Sequence, residues 1–238
     1  MKTIYQDILK AKTEGKKLLA ILFDPDKIEW NSLDNLFEKI KKSDATHIFV
    51  GGSTVADNLT EKLVKKLKPR VLIPIVLFPG DFTQITPKAD AILFLSLLSG
   101  RNPEYLIGQH IKAIPTLKNT RLEIIPTSYL LIESGKQTTV ARISQTNPID
   151  RENIELIVNT AKAGEFLGHK LTYLEAGSGA ETPISDKIIK SVSQNLSIPL
   201  IVGGGIRSKK QMNLAYKAGA DLIVIGTAFE EDFSFFEK

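Results

Sequence analysis

The chain is predicted to fold as a single (β/α)8 barrel, an α/β architecture of eight parallel strands ringed by helices, with residues 1–238 forming one domain. Three observations support this class. Short apolar, β-branched runs alternate with amphipathic stretches along the whole sequence, and most runs are apolar on both faces, as strands covered by helices must be. The length of 238 residues is that of one such barrel. Two glycine turns, Val202-Gly-Gly-Gly-Ile-Arg-Ser208 and Ile225-Gly-Thr227, each follow a strand-like run directly. In this fold the loops after strands seven and eight commonly bind phosphate: glycine lets backbone amides approach an oxyanion, and a helix start adds the positive end of its dipole.

The elements follow in order. Strand one (residues 18–23) leads to a helix over 33–42, and strand two (47–50) to a helix over 55–68. Strand three (71–77) runs into residues 78–90, where two prolines and a glycine leave no room for a regular helix. The third helix of this modified barrel is therefore expected to be replaced by an irregular segment. Strand four (91–95) precedes a helix over 103–114. After strand five (122–125), residues 127–135 and 137–144 read as extended, an inserted loop or hairpin before a helix over 151–167. Strand six (171–174), a helix (186–195), strand seven (200–202), a helix (209–218) and strand eight (222–225) complete the alternation. The run Ile48-Phe-Val-Gly-Gly-Ser-Thr54 echoes Ile201-Val-Gly-Gly-Gly-Ile-Arg207, as repeated βα units would.

Composition narrows the function classes. Hydrophobic residues at 42% and charged residues at 24% supply an ordinary globular core. The absence of cysteine excludes disulfides and thiolate metal sites. The first residues lack the apolar run of a signal peptide, and the longest apolar stretch (89–98) contains Asp90 and is too short to span a bilayer. A cytoplasmic protein is expected. The formal charge of +4 is spread over lysine pairs without interleaved aromatics, which argues against nucleic acid and leaves anionic substrates or peripheral contact with a membrane surface.

Barrel active sites are assembled at the C-terminal ends of the strands. Strand one ends in Asp24-Pro-Asp26, where Asp24 has three available roles: cation ligand, base or turn cap. Strand two ends in Gly51-Gly-Ser-Thr54, which offers hydroxyls and amides near Asp24, and a carboxylate with a hydroxyl suits Mg²⁺ completed by water and a substrate phosphate. Strand six ends in Tyr173-Leu-Glu-Ala-Gly-Ser-Gly-Ala180, and its two-residue period puts Tyr173 and Glu175 on one side. A barrel interior does not tolerate an idle carboxylate, so Glu175 is read as general base or anchor for a substrate hydroxyl. With Gly177 and Gly179, three glycine turns surround one carboxylate, as a small phosphorylated polyol would require. His47, His110 and His169 match no metal spacing and read as structural. Arg101 and Arg207 have two available roles, reaching phosphate oxygens from opposite sides of the mouth or lying on the surface.

Asp24-Pro-Asp-Lys27, Val50-Gly-Gly-Ser-Thr54, Ser99-Gly-Arg-Asn-Pro103, Ile125-Pro-Thr-Ser-Tyr129, Tyr173-Leu-Glu-Ala-Gly-Ser-Gly-Ala180, Val202-Gly-Gly-Gly-Ile-Arg-Ser208 and Ile225-Gly-Thr227 occur in one order over essentially the whole chain. In this the sequence resembles the geranylgeranylglyceryl phosphate synthases, TIM-barrel prenyltransferases that also lack a regular third helix. The resemblance implies transfer of a polyprenyl group, geranylgeranyl first, from its diphosphate to the 3-hydroxyl of sn-glycerol 1-phosphate, with Mg²⁺, in ether phospholipid biosynthesis. It implies Asp24 and Ser53 as Mg²⁺ ligands. It assigns Tyr173, Leu174, Glu175, Ala176, Gly177, Ser178, Gly179, Gly204, Gly205, Gly226 and Thr227 to glycerol phosphate, with Glu175 taking the hydroxyl proton and Tyr173 orienting that hydroxyl. A homo-oligomer is expected on the same ground. Phe78, Phe82, Leu97, Tyr129 and Leu130 are candidate lining for the prenyl tail.

Three other readings remain at this point. One is a relative using a longer, heptaprenyl tail. Another is a phosphosugar isomerase, disfavoured because ring opening commonly needs acid and base on strands one and five, and strand five ends in Pro126-Thr-Ser128. The third is a phosphometabolite binder without catalysis.

Overall fold

In the computed structural model, which describes residues 3–226 and Phe229, eight parallel strands close into a barrel in sequential order. They are β1 (Leu18–Phe23), β2 (His47–Val50), β3 (Ile75–Leu77), β4 (Ala91–Leu97), β5 (Glu123–Leu131), β6 (Leu171–Glu175), β7 (Leu200–Gly203) and β8 (Leu222–Ile225). The last pairs with the first through Ala20 and Val224. Alternation along each strand sorts side chains into two cores. Ala20, Phe49, Val76, Leu93, Ile125, Tyr173, Ile201 and Val224 fill the barrel. Ile21, Ile48, Leu77, Ile92, Leu174, Val202 and Ile223 face outward to the helices. Each large apolar side chain so buried contributes about 1.5–3 kcal/mol, which makes strand register hard to slip.

The helices are α1 (Ile4–Thr13), α2 (Leu33–Lys42), α3 (Leu59–Leu67), α4 (Gln109–Leu117), α5 (Thr139–Ser144), α6 (Ile154–Phe166), α7 (Asp186–Asn195) and α8 (Lys209–Ala218). Among the described residues no helix is long and apolar enough to cross a membrane. As the two prolines of residues 78–90 predict, β3 is followed only by one turn of 3-10 helix, Phe82–Gln84.

Several elements differ from expectation. Helix α1, absent from the strand-and-helix reading, is started by a capping box between Thr3 and Gln6 and buries Ile8 inside the barrel floor. It is docked by Glu123 at the start of β5, whose carboxylate accepts from the Ile4 and Tyr5 amides at 2.6 and 3.0 Å. Residues 139–144, part of the 137–144 segment read as extended, form α5, where the Thr138 hydroxyl accepts from the Ala141 amide at 3.1 Å and starts a helical turn. Strand three begins only at Ile75. The fourth helix opens as a π-helical turn over Glu104–Gly108 before α4.

Candidate active site

At the C-terminal ends of the strands lies a cavity of about 520 Å³. From β1 come Leu22, Asp24, Asp26 and Lys27; from the β2 turn Gly52 and Ser53; from β6 and its loop Tyr173, Glu175, Ser178 and Gly179. The β7 turn adds Gly204, Gly205 and Arg207, and Gly226 follows β8. The cation-type donors of β1 and β2 thus face the carboxylate of β6 across one space, with the glycine turns closing the third side.

Glu175 ends β6 and is 6% exposed. Its Oε1 accepts from the Gly177 amide at 2.6 Å. A Cβ on Gly204 would fall 2.5 Å from that same oxygen, and Gly204 has φ +85°, so this position takes glycine on both counts. Burial raises the Glu175 carboxyl to about 7, against the lowering effects of the Gly177 amide and the Tyr173 phenol. The Tyr173 hydroxyl is fully buried beside the Glu175 carboxylate, whose charged form it stabilises. Burial pushes the Tyr173 phenol well above 10, with the Glu175 charge adding to the effect. It therefore serves as a donor at neutral pH.

Asp24 caps the turn after β1 by accepting from the Asp26 amide at 3.2 Å, and Lys27 lies 3.7 Å from its other oxygen. Partial burial raises its pKa, opposed by the Asp26 amide and Lys27. A Cβ on Gly52 would stand 2.8 Å from Asp24 Oδ1, so glycine there leaves the carboxylate open toward the Ser53 turn. One carboxylate and one hydroxyl on a shared wall suit a hard cation that keeps water or phosphate in its remaining positions. Among the described residues no group of three His, Cys, Asp or Glu side chains could hold a metal, so any ion here relies on that sparse set.

The match to known proteins follows this geometry. The model of the PcrB family covers residues 8–238. The chain belongs to the PcrB family. It is 60% identical over 236 residues to a geranylgeranylglyceryl phosphate synthase of Flavobacterium johnsoniae, covering 99% of this chain and 97% of that one. It is 57% identical over 230 residues to the enzyme of the same name from Zunongwangia profunda, at 97% and 98% coverage. It also matches the structure of (S)-3-O-geranylgeranylglyceryl phosphate synthase from Thermoplasma acidophilum in complex with sn-glycerol-1-phosphate, with a TM-score of 0.91 and 33% identity over 99% of this chain and 95% of that one.

Within this PcrB-family barrel not every residue named from the sequence reaches the cavity. Leu174 and Ala176 are fully buried in the outer core against the helices, because they alternate with Tyr173 and Glu175 along β6. Gly177 acts through its amide on Glu175 and is not part of the cavity wall. Thr227 lies outside the described residues. Arg207 lines the cavity, whereas Arg101 folds back onto the Leu98 and Gly100 carbonyls at 3.0 and 2.7 Å and does not. His47 meets Thr46 at 2.8 Å and His169 meets Ser128 at 2.6 Å, both away from the cavity, while His110 packs on Phe94 and lines the neighbouring apolar pocket. β5 brings Tyr129 to this cavity, whereas Glu133, beyond the end of that strand, does not line it.

Beside the polar cavity, where the third helix is missing, lies a narrow apolar pocket walled by Phe78, Phe82, Leu97, Tyr105, Tyr129 and Ile143. Leu130 is not in it; the strand period turns that side chain outward into the helix-side core. Sequence reasoning missed Gln84. Its buried amide accepts from Gly52 and Gly80 at 3.3 and 3.2 Å and donates to the Gly52 carbonyl at 2.9 Å. Nothing in the sequence distinguishes this glutamine from a solvated loop residue.

Proposed function

We propose that the protein is a prenyltransferase that joins the 3-hydroxyl of sn-glycerol 1-phosphate to an allylic polyprenyl diphosphate, geranylgeranyl diphosphate first, releasing diphosphate in ether phospholipid synthesis. The names of its relatives and the glycerol phosphate complex of the Thermoplasma acidophilum protein support this reading. The observation that carries it is Glu175, a buried carboxylate set between glycine turns and facing Asp24, beside an apolar pocket.

The amides of the Ser178 to Gly179, Gly204 to Gly205 and Gly226 turns hold the phosphate, with Arg207 at the rim. The Tyr173 hydroxyl donates to the glycerol 3-hydroxyl and orients it. Glu175, with a carboxyl near 7, takes the proton of that hydroxyl as its oxygen attacks the allylic carbon. Mg²⁺ on Asp24 and Ser53 would supply neutralisation of the leaving diphosphate. Most of the remaining rate comes from holding nucleophile and electrophile in line.

The test is an assay of purified protein with Mg²⁺, sn-glycerol 1-phosphate and radiolabelled geranylgeranyl diphosphate. Farnesyl and longer diphosphates and the sn-3 enantiomer run alongside. Label entering an acid-stable glyceryl ether with only the sn-1 form is the expected result. Tight glycerol phosphate binding without product from any tail would overturn the reading.

A further inference from the structure

The polar cavity and the apolar pocket share one boundary. Five residues line both: Gly52, Ser53, Phe78, Tyr129 and Val140. In the prenyl-transfer reading, on which this inference rests, the tail occupies the apolar side, the diphosphate lies toward Asp24 and Ser53, and the glycerol hydroxyl lies at Glu175. The reacting allylic carbon is bonded to both tail and diphosphate, so it must sit at that boundary.

The boundary is aromatic. The Phe78 ring stacks on Tyr173 with centroids 5.3 Å apart and planes 19° apart, and meets Tyr129 at 5.8 Å and 62°. It also lies 6.3 Å from Phe49. Phe49, Tyr129 and Tyr173 are all buried, and Phe78 is the residue of the four that is only partly buried. Its backbone is held tightly. The Phe78 amide donates to the Val50 carbonyl at 2.8 Å, and a Cβ on Gly51 would fall 1.9 Å from the Phe78 carbonyl oxygen, so β2 and β3 close on each other directly behind the ring. Phe78 is followed by Pro79 and Gly80, where the chain leaves the barrel without forming a helix. A firmly mounted, partly buried aromatic residue therefore stands where two chemically opposite spaces meet.

We propose that Phe78 is a catalytic residue whose ring face stabilises the positive charge that develops on the allylic carbons during transfer. The bond from allylic C1 to the diphosphate oxygen breaks with its electron pair leaving on that oxygen. Charge spreads over C1 and C3 against the ring, whose negative quadrupole face attracts a cation and carries no lone pair that it would alkylate. A lone pair of the glycerol oxygen then forms the new C1–O bond, and Glu175 takes the proton. A ring that is neutral at every pH adds no second base to compete with Glu175. Its stabilisation is greatest in the transition state, so it acts on turnover and not on substrate affinity.

The experiment replaces Phe78 by 4-fluoro-, 3,5-difluoro- and 3,4,5-trifluorophenylalanine, which keep shape while weakening the quadrupole stepwise, with Phe78→Leu as the ring-free variant. Single-turnover rates of ether formation are measured beside dissociation constants for sn-glycerol 1-phosphate and an unreactive thiolodiphosphate analogue of the prenyl substrate. The expected result is a rate that falls with each added fluorine, by about tenfold across the series and in Phe78→Leu, with both dissociation constants unchanged. Wild-type turnover with a flat fluorine series would overturn the Phe78 assignment alone. Failure of the wild-type protein to form any ether would overturn the prenyl-transfer reading and this assignment with it.

Discussion

The Gly177 amide holds Glu175 Oε1 at 2.6 Å, and the open backbone of Gly204 allows the carboxylate to sit there at all. The bond fixes one carboxylate oxygen in place while burial keeps the group only weakly acidic. A base held in this way is set for proton abstraction at neutral pH.

Replacing Glu175 by Gln keeps an acceptor for the Gly177 amide but removes the basic oxygen. Turnover is expected to fall by about 10²- to 10³-fold, with sn-glycerol 1-phosphate affinity changed far less. Steady-state rates and calorimetry read the two separately. Equal losses in rate and affinity would make Glu175 an anchor and not a base.

The pH profile follows from a carboxyl raised to about 7. Because the base must be ionised, kcat/KM rises with pH below 7 and levels off above it. Stability runs the other way. A folded pKa above the unfolded value of 4.5 stabilises the fold at low pH, and that contribution is lost as pH rises through about 7. At pH 8.5 the Glu175→Gln variant should be more stable than the wild type by roughly 3 kcal/mol, a difference that vanishes near pH 4. Denaturant titrations at the two pH values measure it.

Asp24→Asn is expected to abolish Mg²⁺-dependent turnover while leaving the melting temperature equal or higher, since it removes a partly buried charge whose pKa is already raised. Mn²⁺ binding followed by electron paramagnetic resonance should weaken by more than the roughly 10- to 100-fold typical of changes to groups that only support a ligand. Unaltered Mn²⁺ binding would remove Asp24 from the metal site.

Gln84→Ala strips hydrogen bonds from the Gly52 amide, the Gly52 carbonyl and the Gly80 amide, all in the wall beside Asp24. A loss of about 2–4 kcal/mol in unfolding free energy is expected, together with weaker Mn²⁺ binding. Gln84→Glu, which still accepts from both amides, should recover part of each. Mn²⁺ affinity unchanged in a destabilised Gln84→Ala protein would limit Gln84 to a scaffolding role.

Local chemistry and periodicity made much of this protein legible in sequence. Two-sided apolar runs specify strands buried under helices, and glycines after strands mark where backbone must approach an anion. The two prolines of residues 78–90 disfavour a regular α-helix there, and a single turn of 3-10 helix forms instead. The period of β6 put Tyr173 and Glu175 on one face, and the same period turns Leu174 and Ala176 away from the cavity.

Closure of the barrel decided the rest, because it brings together residues far apart in the chain. Only then does Glu123 meet the amides of α1, Gln84 reach across to Gly52, and Phe78 stand between the polar cavity and the apolar pocket. A glutamine in a loop or a phenylalanine after a strand has no distinguishing local pattern, and its role depends on which backbone groups and rings the fold places against it. The raised pKa of Glu175 has the same origin, since the sequence supplies the carboxylate and the closed barrel excludes the water that would keep it acidic.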